Sequence, residues 1–150
     1  FEMGSYPLLP IVRLLGVDYE NVNIYSRMNE DGVDVYTRGI MRFGNAVASL
    51  QLGLGVKTEG SLIISGTKGY AYVPSPWWKT DYFELRYEDQ NSNKKYFYSW
   101  NEPGLRYEIR EFVSCIINER TVSSRMTPKE SICIAGIMEQ FIDRKNVFEI

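Results

Sequence analysis

A carboxylate and a phenol stand four residues apart near the start of this 150-residue chain, at Glu2 and Tyr6. Side chains at that spacing lie on one face of a helix, so a helical first turn would hold the two groups together. A positioned phenol can exchange a proton with a substrate, and a carboxylate can orient one. The alternative is structural, because a tyrosine at a helix start often packs its ring and leaves its hydroxyl in water. The spacing alone leaves both interpretations open.

One short helix over residues 2–16 is predicted to position this pair. Pro7 suits a first helical turn, where a backbone N–H is not needed, and Gly16 suits the position just past a helix end. Pro10 should bend the helix or delay its regular start. Apolar residues recur at helical spacing and predict a face that must lie on an apolar surface. They are Leu8, Leu9, Ile11, Val12, Leu14 and Leu15.

The composition is that of a globular domain with a slightly acidic balance. The chain has 17 basic and 19 acidic side chains, and its net charge of −2 gives no electrostatic case for binding nucleic acid. It has no basic amphipathic segment for a membrane surface, no apolar run of ~18 residues and no recognisable signal peptide. We therefore expect a cytoplasmic protein with no nucleic-acid or membrane partner. The unusual start at Phe1 indicates a fragment whose natural N-terminus is not included.

Two cysteines, Cys115 and Cys133, fall in separate predicted helices and lack Cys-x-x-Cys spacing. The chain has no histidine. Together these facts argue against a zinc site and exclude a histidine-based catalytic triad within this chain. We expect reduced cysteines and no metal site.

After the first helix the apolar period changes to two, which predicts about seven strands before residue 101. The first alternation runs over 22–27 and the second over 33–43. Turn residues at 29–32 and a hairpin signal at 44–45 separate these strands and the one that follows. Short connections of this kind force neighbouring strands to be antiparallel.

Two helices are predicted to follow, over 105–116 and 128–142. Thr127 and Glu130 form a capping-box pattern at the start of the second, and a short strand over 147–150 ends the chain. The predicted fold is one α+β domain over all 150 residues: a broad, mostly antiparallel sheet with the three helices packed on one face and the other face open.

The open face is predicted to carry large side chains. Alternation places Tyr25, Tyr36, Ile40 and Val47 opposite the helices. An ordinary wet face with scattered aromatic residues is one interpretation. A subunit interface of a homo-oligomer is the other, because large exposed apolar patches usually mark contacts.

The first helix also resembles a known family motif. Glu2-x-Gly4-x-Tyr6 with Pro7 next, then an apolar helix that closes in Leu-Gly at Gly16, resembles the start of the substrate domain of the glucose-fructose oxidoreductase / inositol dehydrogenase (Gfo/Idh/MocA) family. The family pattern is Asp-x-Gly-x-His or Asp-x-Gly-x-Tyr before such a helix. Here Glu replaces Asp, and Tyr stands where many members have His.

Three later stretches extend the resemblance in the family's order. The Ser-Gly-Thr-Lys-Gly run at 65–69 resembles its Gly-Thr-x-Gly hairpin, residues 104–112 resemble its next-to-last helix, and residues 126–131 resemble the start of its last helix. The resemblance therefore covers nearly the whole chain.

The resemblance implies the C-terminal substrate-binding and oligomerisation domain of an NAD(P)-dependent oxidoreductase. In the family a dinucleotide-binding domain with a Gly-x-Gly-x-x-Gly fingerprint and a Glu-Lys-Pro motif comes first, and neither motif stands in this sequence. The implied parent uses NAD or NADP on a sugar, cyclitol or related polyol hydroxyl, with Tyr6 as general acid/base and Glu2 orienting a partner or the substrate. We expect this chain alone to bind no cofactor and to be inactive. The alternative is a non-catalytic module for dimerisation or carbohydrate binding.

Five further residues are candidates for substrate contact. Trp77 and Trp78 could wall a sugar pocket, or they could plug a sheet edge or a subunit contact. Arg106 could meet a phosphate or carboxylate of the substrate, as could Arg42 and Arg86, and surface solvation is the alternative for each.

Overall fold

The computed structural model describes residues 2–99 and 104–150, with Glu2 described by its backbone alone. The chain forms two compact units, one of Phe1–Lys57 with Glu111–Ile150 and one of Thr58–Arg110. The expectation of a single domain stays a prediction. The predicted α+β class is confirmed, since the described residues form three α-helices and two mostly antiparallel sheets.

The first helix begins later than predicted. A single 3-10 turn covers Glu2–Gly4, and the α-helix α1 follows at Ser5–Leu15 with Pro10 inside it. Gly16 ends the helix with φ +89°, a backbone conformation that glycine adopts without strain. Because α1 begins five residues before Pro10, the later start is not the delay that was expected from Pro10.

The first sheet belongs to the first unit and has the strand order β3-β2-β1-β8. Its pairs are antiparallel except for β1 and β8, which run parallel. The strands are β1 Asn21–Met28, β2 Asp34–Arg42, β3 Val47–Gly53 and β8 Val147–Glu149.

One face of this sheet forms the core with two helices, α1 and α3 at Pro128–Ile142. Leu8 from α1, Ile24 and Met41 from the sheet, and Ile137 from α3 are fully buried. The predicted register is therefore correct, because Ile40 on the other face stays 37% exposed. The rest of the buried apolar cluster is Ile11, Val12, Val22, Phe43, Leu50, Ile134 and Phe141.

The predicted capping box at the start of α3 is present and also links α3 to α1. Thr127 Oγ1 accepts a hydrogen bond from the Glu130 N–H at 3.3 Å, and the Glu130 carboxylate accepts one from the Thr127 N–H at 2.6 Å. Arg13 Nη1 of α1 donates to the other Glu130 oxygen at 2.8 Å. These bonds, the Thr127 N–H first and then Arg13, lower the pKa of Glu130 to about 2.

The helix α2, at Leu105–Ile117, does not meet the prediction that it packs on the sheet with the other two. None of its described residues is buried, and its apolar stripe is exposed. Its other face is the one in contact, where Glu111 accepts a hydrogen bond from Ser123 at 2.8 Å and Ser114 accepts one from Arg120 at 3.0 Å. Hydrogen bonds therefore hold the polar face of α2 against the segment that follows this helix.

The second sheet has the order β4-β5-β6-β7, and all its pairs are antiparallel. The predicted hairpin before β5 is present, with Gly66 N–H donating to the Gly69 carbonyl at 2.8 Å. A Cβ on Gly69 would overlap the Arg86 carbonyl oxygen, so the close strand approach requires glycine there. The strands are β4 Leu62–Ser65, β5 Gly69–Val73, β6 Tyr82–Tyr87 and β7 Lys94–Phe97.

Within residues 2–99 and 104–150, no helix is long and apolar enough to cross a membrane. No group of three or more cysteine, aspartate or glutamate side chains there is placed to hold a metal ion. Cys115 and Cys133 are free and half-buried.

Candidate active site

Tyr6 lies in the first turn of α1, on the side turned away from the core. Leu8, Ile11 and Val12 form the buried side of the helix, and Tyr6 is 51% exposed. The 3.6-residue period sets this orientation, because residue 6 falls opposite the centre of the buried set. The hydroxyl has no hydrogen-bond partner among the described residues, so it is available to a group from outside this chain.

The start of α1 has a glycine as its N-cap and no capping side chain among the described residues. This N-cap, Gly4, is buried. Backbone N–H groups of a first helical turn have no partner within the helix. Among the described residues, no side chain therefore hydrogen-bonds to the first turn of α1 as a cap.

The predicted partner of Tyr6 is Glu2, whose side chain lies outside the described residues. The pairing of the two groups on one helix face stays a prediction. The backbone places Glu2 in the 3-10 turn that leads into α1.

Apolar side chains share the outer side of α1 with Tyr6. Met3, Leu9 and Leu14 are each between 39% and 54% exposed. Exposed apolar groups concentrated on one surface usually mark a contact. The surface around Tyr6 is therefore of the kind that usually makes a contact with another molecule or domain.

Trp77 and Trp78 belong to the second unit, in the loop between β5 and β6. Their rings meet edge to face, with centroids 5.8 Å apart and planes at 89°. The backbone N–H of Trp77 donates to the Gly60 carbonyl at 3.0 Å. Gly60 has φ +71° and lies beside the Trp78 ring. The pair thus fastens the segment before β4 to the loop after β5, and its role in substrate binding stays a prediction.

The same loop lines a cavity of about 620 Å³, which we call the proline groove. Sequence reasoning did not single it out, although the Pro-Ser-Pro break and the aromatic strand after residue 94 both contribute to it. The groove lies within the second unit. Its lining consists of Pro74, Ser75, Pro76, Lys79, Thr80, Asp81, Tyr82, Phe97, Tyr98 and Ser99.

The candidate arginines Arg42 and Arg86 have anionic partners. Arg42 Nε lies 2.6 Å from a Glu20 carboxylate oxygen. Arg86 donates to Glu84 at 2.7 Å, and its guanidinium lies 4.4 Å from the centre of the Tyr72 ring. Arg106 lies exposed in the first turn of α2.

Comparison with known proteins gives one relative in sequence. The chain is 25% identical over 146 residues to trans-1,2-dihydrobenzene-1,2-diol dehydrogenase of Bos taurus, which covers 93% of this chain and 44% of that protein. The chain thus spans about half the length of the curated relative it matches. No family model matches the sequence.

Solved structures show the same fold. KijD10, a 3-ketoreductase from Actinomadura kijaniata in complex with NADP and TDP-benzene, matches with a TM-score of 0.81 at 17% identity, over 99% of this chain and 46% of that one. UDP-N-acetylglucosamine 3-dehydrogenase GnnA from Acidithiobacillus ferrooxidans matches with a TM-score of 0.68 at 16% identity, over 88% of this chain and 42% of that one.

Proposed function

The comparisons confirm the resemblance to the Gfo/Idh/MocA family and its C-terminal-domain fold, and on that premise we propose a function. This chain is the substrate-binding and oligomerisation domain of an NAD(P)-dependent oxidoreductase. The parent acts on a hydroxyl of a sugar, cyclitol or related polyol. The relatives are named for a ketone reduction and for dehydrogenation of a diol and of a sugar nucleotide, which supports this class.

The observation that carries the proposal is the placement of Tyr6. Its hydroxyl is exposed and without a described partner, on an uncapped first helical turn surrounded by exposed apolar side chains. A general acid/base must come within hydrogen-bond reach of the substrate, and the exposed position of Tyr6 allows this. During oxidation Tyr6 would accept the proton of the substrate hydroxyl on its phenolate oxygen, and during reduction its phenol would donate that proton to the carbonyl oxygen.

The cofactor would be held by a part of the parent outside this chain. The sequence lacks the Gly-x-Gly-x-x-Gly turn that cradles a dinucleotide phosphate, so the residues present do not supply that site. NADP in complex with KijD10 supports a nicotinamide cofactor in the parent. The nicotinamide would exchange a hydride with the substrate carbon.

The test is Tyr6→Phe in the full-length parent, because this change keeps the ring and removes only the exchangeable proton. We expect turnover at saturating substrate to fall by ~100-fold or more with folding unchanged. The matched control is Tyr87→Phe, since Tyr87 is also exposed but lies on β6 of the second unit. Wild-type turnover in Tyr6→Phe would remove Tyr6 from the mechanism.

We also propose that the open face of the first sheet is the subunit interface. Tyr25 and Phe148 stack there with ring centroids 5.3 Å apart, and Ile40 and Val47 are exposed beside them. This surface lies on the opposite side of the sheet from the core that α1 and α3 form. A second copy of the chain would bury the same patch on both subunits.

Ile40→Glu tests this interface, because dimerisation would bury an unpaired carboxylate against its symmetry mate. We expect the variant to be monomeric by light scattering, with its helical content kept. Ile63→Glu is the control, since Ile63 is 57% exposed on the second sheet and should leave assembly unchanged. A wild-type chain that is monomeric at high concentration contradicts the interface.

A non-catalytic dimerisation or carbohydrate-binding module is the alternative function, and an upstream reading frame without a dinucleotide-binding fingerprint would favour it.

A further inference from the structure

We propose that the proline groove binds a neutral pyranose ring, as a subsite for the carbohydrate part of a sugar ligand. The proposal rests on the proposed function for the class of ligand, and its argument rests on the groove itself. All the residues involved belong to the second unit.

The size of the groove suits such a ligand. Its volume is about 620 Å³, within the range of roughly 300–1,000 Å³ that is usual for small-molecule sites. Pro74 and Pro76 contribute apolar surface, and Tyr82, Phe97 and Tyr98 contribute aromatic surface. Sites of this kind combine an apolar lining with a few polar groups that fix orientation.

Phe97 supplies the surface on which a sugar ring would stack. It is 76% exposed, the highest value for an aromatic side chain among the described residues. The neighbouring Tyr82 ring has its centre 6.0 Å away, and the Lys95 ammonium lies 3.4 Å from the centre of the Tyr82 ring and 5.4 Å from the centre of the Phe97 ring, so it covers Tyr82 more closely than Phe97. The C–H face of a pyranose is apolar, so it can cover Phe97 and remove that ring from water.

The charged groups of the groove favour a neutral ligand. Lys79 and Asp81 both line it and both are exposed, so one ammonium donor and one carboxylate acceptor balance each other. Lys95 is in turn paired with Glu84 at 3.5 Å. A hydroxyl both donates and accepts, so adjacent sugar hydroxyls can use Lys79 and Asp81 together. A phosphate would be attracted by Lys79 and repelled by Asp81.

The experiment is saturation-transfer NMR on the 150-residue chain with methyl β-D-glucopyranoside as the probe. We expect transfer to the ring C–H protons and a Kd of ~1 mM, the usual affinity for a ligand of this size. Phe97→Ala should weaken binding by ~5-fold or more. Phe97→Leu, which keeps an apolar side chain but not a ring, should also weaken it and guards against a folding defect. Asp81→Asn should weaken binding too, because it removes the charged acceptor.

The matched control is Tyr96→Ala. Tyr96 precedes Phe97 on β7, points to the opposite face of the sheet and stacks on Phe83 with centroids 5.0 Å apart. The Tyr96→Ala variant should bind the sugar as tightly as the wild type does. Inorganic phosphate should not displace the sugar from the wild-type chain.

Three results would overturn the proposal. They are the absence of saturation transfer from the wild-type chain to the sugar, wild-type affinity in both Phe97 variants, and a loss of affinity in Tyr96→Ala equal to that in Phe97→Ala. Displacement by phosphate would overturn the neutral-ligand claim. None of these results bears on Tyr6, whose test is turnover of the parent.

Discussion

The first unit buries a cluster of apolar side chains between two helices and a sheet, whereas no described side chain of the second unit is buried to that degree. The second sheet is instead lined with paired charges and aromatic rings. Glu84 lies between Arg86 and Lys95, and these cations lie over the rings of Tyr72 and Tyr82. Burial stabilises a fold more than exposed ion pairs do, so the first unit should be the stable body and the second the adaptable one.

The largest effect expected from this difference is at Ile137, which is fully buried on α3. Ile137→Ala should lower the free energy of unfolding by ~2–5 kcal/mol, since it removes buried methyl groups and leaves a cavity. Ile63→Ala, on β4 of the second unit, should change it by less than ~0.5 kcal/mol. Urea unfolding followed by circular dichroism measures both. Equal losses would show that the second sheet has a core of its own.

A smaller effect is expected at Glu130, where the link between α1 and α3 depends on pH. Its partners lower its pKa from 4.5 to about 2, so the ionised carboxylate stabilises the folded chain. That stabilisation is present above pH 4.5 and is lost as the pH falls toward about 2. Glu130→Gln should therefore melt below the wild type at pH 7, and the gap should close at low pH. Glu139→Gln, on the exposed side of the same helix, should show no such gap.

The smallest effect is expected at Glu84. Hydrogen bonding to Arg86 lowers the pKa of its carboxyl, but the whole cluster is open to solvent. Glu84→Gln should lower the melting temperature slightly at low salt, and the difference should vanish in about 1 M NaCl, where charges are screened. A difference that persists at high salt would contradict the view that the second sheet depends on exposed electrostatics.

Local patterns in the sequence were enough to predict much of the first unit. Period-two alternation gave the correct face for Ile40, and the turn residues and the Thr127–Glu130 capping box are where they were predicted. These features depend on residues close in sequence or on strict alternation, which a single chain records directly.

The errors and omissions concern contacts between elements that are distant in the sequence. The apolar stripe of α2 correctly predicted a helix, but periodicity states only that a face needs a cover and not which surface supplies it. The proline groove needs the loop after β5 and the end of β7 together, and no short pattern links them. Tyr6 could be singled out as a candidate because its motif is local, whereas no local pattern indicates the surroundings of Trp77.

The pairing of β8 with β1 has a consequence for how the chain is made. Val147 lies beside Ile24, and the Ile150 N–H donates to the Ser26 carbonyl at 3.0 Å, so strands from opposite ends of the chain share one sheet. During synthesis the core face of β1–β3 therefore waits, without α3 or β8, until almost all 150 residues have emerged from the ribosome. The described strand pairs of the second unit all join neighbours along the chain, so this unit can form earlier. The nascent first sheet then exposes apolar surface longest, which makes it the part most dependent on chaperones.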